Sequence, residues 1–229
     1  MHATPHTPPR NEINIALGGK KLAGRLYLPE GAKGLVLLVH GSGTGRRVVL
    51  DQSVAHVLQS AGFATVLLDL LQECETHDAR NVFDVELQAS RLIEIVRELG
   101  ASPATRSLRV GYLGAGTGAG TALLAAAKEP ASVAAVVSRG GRPDLASFWL
   151  PMITAPTLLI VGEKDTPALY WNKDAYRRIQ AHKELIIVPG ATHLFEERQT
   201  LKKASQCALR WFTRYLAPAQ ARFRAEVAS

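Results

Sequence analysis

An acid, a base and a tight turn stand at three points of this 229-residue chain where nucleophilic chemistry needs them. Asp165 closes the run GEKD, Gly162 to Asp165. His193 closes GATH, Gly190 to His193, 28 residues further on. A carboxylate that orients an imidazole, and an imidazole that takes a proton from a nucleophile, are the acid and base of acyl transfer. Upstream, Val110 to Gly120 reads VGYLGAGTGAG. Its frame Gly114-Ala115-Gly116-Thr117-Gly118 has the outer glycines of G-x-S-x-G, a strained strand–turn–helix crossing that presents a nucleophile. The centre of that frame is Gly116, which has no side-chain oxygen or sulfur, so an acyl-enzyme cannot form there. Thr117 carries the nearest hydroxyl, but in the first turn of a helix its backbone N–H should face the reacting oxygen. Cys74 and Cys207 lie elsewhere in the chain and do not replace the missing group.

These residues need a scaffold that brings them together. Asn11 to Pro29 reads as two strands around Gly18–Gly19, a hairpin signal. Gly34–Val39 (GLVLLV) is a continuous apolar run, suited to a strand buried on both faces. Further strands are expected at 64–70, 109–113, 133–137, 157–161 and 185–188. Helical patterns are expected at 52–61, 85–99, 117–128, 170–181 and 200–215. Strands alternating with helices imply a mostly parallel sheet of about eight strands, antiparallel only at the N-terminal hairpin, with helices on both faces. We read residues 11–217 as one domain, 1–10 as a loose arm and 218–229 as a tail. In such sheets ligands bind outside the carboxyl ends of the strands, where Gly116, Asp165 and His193 all fall.

The HGSGTG run (His40 to Gly45), GAGTGAG, SRGGRPDLA, LLIVGEKD and VPGATHLFEE together resemble the dienelactone hydrolase-like branch of the α/β-hydrolases, from about Leu26 to Leu216. The resemblance implies hydrolysis of small carboxylic esters or lactones without metal or organic cofactor. It implies that Asp165 orients His193, that His193 is the general base, and that the elbow residue attacks the carbonyl. That residue should be Ser or Cys. Gly116 is the departure, and three readings of it stand: an engineered replacement, which we favour, a natural loss leaving a binding protein, or a water activated directly by His193. The backbone N–H groups of Ser42, or of Gly43, and of Thr117 should form the oxyanion hole. Caps in this superfamily are inserted before the strand at Thr157, and here that gap holds one short helix at most. The cleft should therefore be open, lined by Phe148 and Trp149 and by Leu194–Phe195.

Several residues carry a second reading. Arg139 and Arg142 could bind a substrate carboxylate or pair with local acids such as Asp144, and Arg46 is equally ambiguous. His40 and Asp69 read as loop-fixing residues, and Glu196 and Glu197 as a solvated helix start. Gly114 to Ala119 also spells the G-x-G-x-x-A dinucleotide fingerprint, with Arg139 placed to meet a 2′-phosphate. Against an NADP-binding protein, at least two buried strands precede this fingerprint, and Asp165 and His193 go unexplained.

Composition excludes other classes. Hydrophobic residues make up 47% and charged residues 21%, which is globular and not disordered or coiled-coil. Two cysteines cannot staple a secreted scaffold. Cys74 and His77 have ligand spacing but no second pair, so no metal site is expected. The net charge of +7 is scattered, without interleaved aromatics, which argues against nucleic acid. With no apolar run of about 18 residues and no leader pattern at the start, we expect a cytoplasmic protein that does not bind membranes.

Overall fold

The computed structural model describes residues 11–17, 20–40 and 46–218. The expectations for residues 1–10, Gly18–Gly19, Ser42 and Gly43, and for the tail beyond residue 218, lie outside the described residues.

Eight strands form one sheet: β1 (Asn11–Leu17), β2 (Lys20–Tyr27), β3 (Leu35–His40), β4 (Ala64–Leu68), β5 (Val110–Ala115), β6 (Ala135–Arg139), β7 (Thr157–Gly162) and β8 (Lys183–Val188). Their order is β1-β2-β4-β3-β5-β6-β7-β8. β2 pairs antiparallel with β1 and with β4, and every other pairing is parallel. This is the mostly parallel, hairpin-led sheet that the alternation of apolar runs implies.

Seven helices are described: α1 (Arg46–Ser60), α2 (Glu73–Thr76), α3 (Ala79–Phe83), α4 (Val85–Ala101), α5 (Thr117–Lys128), α6 (Thr166–Arg178) and α7 (Arg198–Leu216). Side chains alternate across a strand, so β3 feeds two cores. Leu35, Leu37 and Val39 join the face covered by α4, α5 and α6. Val36 and Leu38 join the face covered by α1 and α7. No separate cap lies between β6 and β7; the chain there makes only a 3₁₀ segment, Pro143–Met152.

The differences from the sequence reading at α2, α3 and α6 trace to local capping. α6 begins at Thr166, ahead of the expected start, because Asp165 caps it by accepting the Ala168 N–H at 3.3 Å. α2 and α3 were not expected. A reciprocal Gln72–Glu75 capping box starts one, and the Asp78 carboxylate accepting the Arg80 N–H starts the other. Such short helices carry no apolar period to read.

Tyr112 of β5 is fully buried, with its hydroxyl 3.3 Å from Ser132 Oγ. Burial pushes its pKa from 10 up to about 12, so the neutral phenol is the folded form. A group whose pKa is raised on folding contributes stability that is complete below the unfolded pKa and lost as pH rises through the folded one. We expect the chain to lose about 2–3 kcal/mol between pH 10 and pH 12 from this group alone, at about 1.4 kcal/mol per pH unit. Urea unfolding of the parent and of Tyr112→Phe at pH 9 and pH 11.5 checks this. Parallel pH profiles for the two proteins would contradict it.

Candidate active site

β5 passes into α5 through Gly116, whose φ of 56° and ψ of −126° lie in backbone space that favours glycine. The crossing is tight: a Cβ on Gly118 would press into the Val39 carbonyl of the neighbouring strand. The Gly116 carbonyl accepts the N–H groups of Ala119 at 3.2 Å and Arg142 at 3.0 Å, which fixes the turn from both sides. Thr117 opens α5. It is buried, and its hydroxyl has no partner among the described residues.

Asp165 follows β7 and caps α6. His193 follows β8. The two strands are neighbours, and His193 Nδ1 lies 2.6 Å from Asp165 Oδ2. The carboxylate is 9% exposed and the imidazole 41%. With Nδ1 donating to the carboxylate, Nε2 is left as the acceptor, which is the tautomer a general base needs. Gly116 and His193 border one pocket of about 360 Å³, with Leu194, His40, Arg139 and Asp51 also in its wall. Gly116, Asp165 and His193 thus meet at the carboxyl ends of the sheet.

The arginines resolve differently from each other. Arg139 is buried at the end of β6, and its guanidinium lies 2.5 Å from Asp51 of α1. The two side chains are only 7% and 4% exposed. Burial pulls the Arg139 pKa down and Asp51 pulls it back up. Its Nε has no partner among the described residues. Arg139 therefore borders the pocket as half of an ion pair. Arg142 makes two hydrogen bonds to Asp144, at 2.9 and 2.7 Å, and lies 4.1 Å from the Trp171 ring centre. Its side chain is not in the pocket wall, so the local pairing with Asp144 is what the fold realises.

Phe148 and Trp149 are not brought to the pocket. The 3₁₀ segment turns Ala146 and Leu150 into the core. Phe148 between them points outward and is 71% exposed. Trp149 packs edge-on against Phe148 and beneath Lys128. Of the aromatic and aliphatic pair after His193, Leu194 is in the pocket wall while Phe195 is buried in the core.

His40 Nε2 lies 3.2 Å from Asp69 Oδ1, and this hydrogen bond holds the Asp69 carboxyl below its usual range. Cys74 is exposed on α2 and Cys207 is buried in α7. No group of three or more His, Cys, Asp or Glu side chains suited to a metal occurs among the described residues. No described helix is long and apolar enough to cross a membrane. The fingerprint frame Gly114 to Ala119 joins β5 to α5, with four strands before it in the chain. Two residues that sequence reasoning did not single out also belong to this region. Asp51 falls one residue before the helical pattern expected at 52–61, and Asn172 near the start of the one expected at 170–181, neither with a distinguishing neighbour.

The family described as the dienelactone hydrolase family matches residues 22–219. A Mycobacterium tuberculosis protein whose name proposes a phosphoribosyl transferase is 50% identical over 205 residues, which is 90% of this chain and 46% of that protein. The chain thus spans about half the length of the curated relatives it matches. The solved structure of a dienelactone hydrolase from Anabaena variabilis is 49% identical, with a TM-score of 0.87 over 92% of this chain and 100% of that one. An esterase domain from a Rhodothermus marinus protein shares the fold, with a TM-score of 0.72 at 16% identity over 91% of this chain and 99% of that one.

Proposed function

Because the chain belongs to the dienelactone hydrolase family, we propose that it is a site for small carboxylic esters or lactones, deficient in a nucleophile, in which His193 activates water directly. The observation that carries this reading is the Asp165–His193 pair, at 2.6 Å, bordering the same pocket as a left-handed elbow whose residue is glycine. Among the described residues the geometry supports the base and its orienting acid, and Gly116 supplies no side-chain nucleophile at the elbow.

The ester carbonyl binds over the start of α5, with its oxygen toward the Thr117 N–H. A water at the pocket mouth gives a proton to His193 Nε2 and attacks the carbonyl carbon. Asp165 stabilises the resulting imidazolium. The Thr117 N–H holds the tetrahedral oxyanion. His193 then returns the proton to the departing alkoxide, and acid and alcohol leave without a covalent enzyme intermediate. A triad lacking one member keeps about 10³–10⁴-fold catalysis over water from the remaining parts.

Slow hydrolysis of p-nitrophenyl acetate or of a small lactone, abolished by His193→Ala and without any mass adduct on the protein, is the expected result. An adduct at any residue would point to another nucleophile. Absence of turnover for every ester and lactone, with ligand binding still seen as a thermal shift, would favour the second reading: a binding protein on the hydrolase scaffold, which Gly116 also supports. The activity named for the longer relatives belongs to those proteins.

A further inference from the structure

We propose that Asn172 is a positioning residue: it ties the helix that carries Asp165 to the turn that clamps the Gly116 elbow. Asn172 lies in the middle of α6, two turns after Asp165, and is fully buried. Its Nδ2 donates to the Ala168 carbonyl at 2.8 Å and to the Gly141 carbonyl at 3.1 Å. Ala168 is shared: its N–H donates to Asp165 Oδ1. The residue after Gly141 is Arg142, whose N–H donates to the Gly116 carbonyl. One line of hydrogen bonds therefore runs from the His193 ring through Asp165, Ala168 and Asn172 to Gly141, and on through one residue to the elbow peptide.

The residue type supports a role for the amide. Asn is a poor choice for a helix interior. Here its Oδ1 is buried without a partner among the described residues, a cost that an apolar side chain of the same size would avoid. The two Nδ2 bonds are what an Asn supplies at that point and a Leu cannot. The bond to Ala168 stays within α6. The bond to Gly141 crosses to a different element, and that crossing sets the height of the Asp165 end of the helix relative to the elbow.

The inference rests on the reading of Asp165 and His193 as the proton-transfer pair, and its first test needs no turnover. The low-field proton resonance of the His193 Nδ1–H···Asp165 hydrogen bond should be visible in the parent protein. In Asn172→Leu, which keeps the branching and the number of heavy atoms, it should broaden or move upfield while the circular dichroism stays unchanged. In a Gly116→Ser background, Asn172→Leu should lower kcat about 10- to 100-fold with KM changed less than about threefold, the effect expected of a small misplacement of reacting groups. If Asn172→Leu does not fold, Asn172→Ser is measured instead. Its hydroxyl can still bond within the helix to the Ala168 carbonyl but falls short of Gly141, so it removes the crossing alone. An unchanged resonance together with an unchanged kcat in the folded variant overturns the proposal. Lack of turnover in Gly116→Ser itself overturns the hydrolase reading, and the resonance still decides the role of Asn172.

Discussion

Gly116→Ser is expected to turn the elbow into a working nucleophile: labelling by a serine-directed organophosphorus probe at residue 116, and ester turnover raised about 10³-fold or more. The parent chain should show no such label. The argument is local. The outer glycines still allow β5 and α5 to cross closely, with Gly118 against the Val39 carbonyl. The Gly116 carbonyl is held from two sides, so the elbow keeps its backbone when the residue changes. Asp165 already holds the His193 ring. A missing triad member disables the others out of proportion to its size, so restoring it recovers their joint contribution; in one serine protease the whole triad is worth about 2 × 10⁶ in kcat. A serine must adopt the φ of 56° that glycine accepts freely, at a cost of about 1–3 kcal/mol. That leaves a stable fold within a typical total of about 5–15 kcal/mol. Intact-protein mass after probe treatment reads the label directly. A folded serine variant that neither labels nor hydrolyses any small ester or lactone would show that residue 116 is not a nucleophile position.

Asp51→Leu should be the most destabilising single change near the pocket, costing about 3–5 kcal/mol. Two charges that are almost wholly out of water compensate each other at 2.5 Å. Removing the carboxylate leaves the Arg139 guanidinium buried without the charge that balances it, and its Nε already lacks a partner among the described residues. For a chain of this length, about 2–4 °C per kcal/mol places the melting temperature some 6–20 °C lower. The double variant Asp51→Leu/Arg139→Met removes both charges and should recover most of the loss, because an apolar pair of similar volume often replaces a buried ion pair at little cost. Calorimetry of the single and double variants checks both statements. A single variant within about 1 kcal/mol of the parent would mean that water reaches Arg139 and that the pair is not buried in solution. In that case Arg139 would regain its reading as a group that meets substrate.

What the sequence by itself determined is whatever depends on neighbours in the chain. Apolar runs of five or six residues marked the strands because a strand buried on both faces must be apolar throughout. Close-set glycines marked the elbow because two backbones touch there, as Gly118 and Val39 do. Gly116 stood out at the centre of that frame because glycine has no side-chain oxygen or sulfur. Asp165 and His193 could be paired in advance because both follow strands, and parallel strands deliver their carboxyl ends to one edge.

The tertiary structure alone decided the residues whose meaning depends on what packs beside them. Arg139 and Arg142 are three apart in one motif and looked equivalent. One is buried against Asp51, 88 residues away, and the other is held by Asp144, two residues away, over the Trp171 ring. Phe148 and Trp149 were apolar enough to line a cleft, but the turn of the 3₁₀ segment sends Ala146 and Leu150 inward and Phe148 out. Asn172 was one polar residue in a helix until Gly141 was seen opposite its amide. An ion pair or a buried amide is defined by its partner. Partners from distant elements meet only once the sheet has set the strands side by side and the helices have closed over its faces, so no local period or spacing records them.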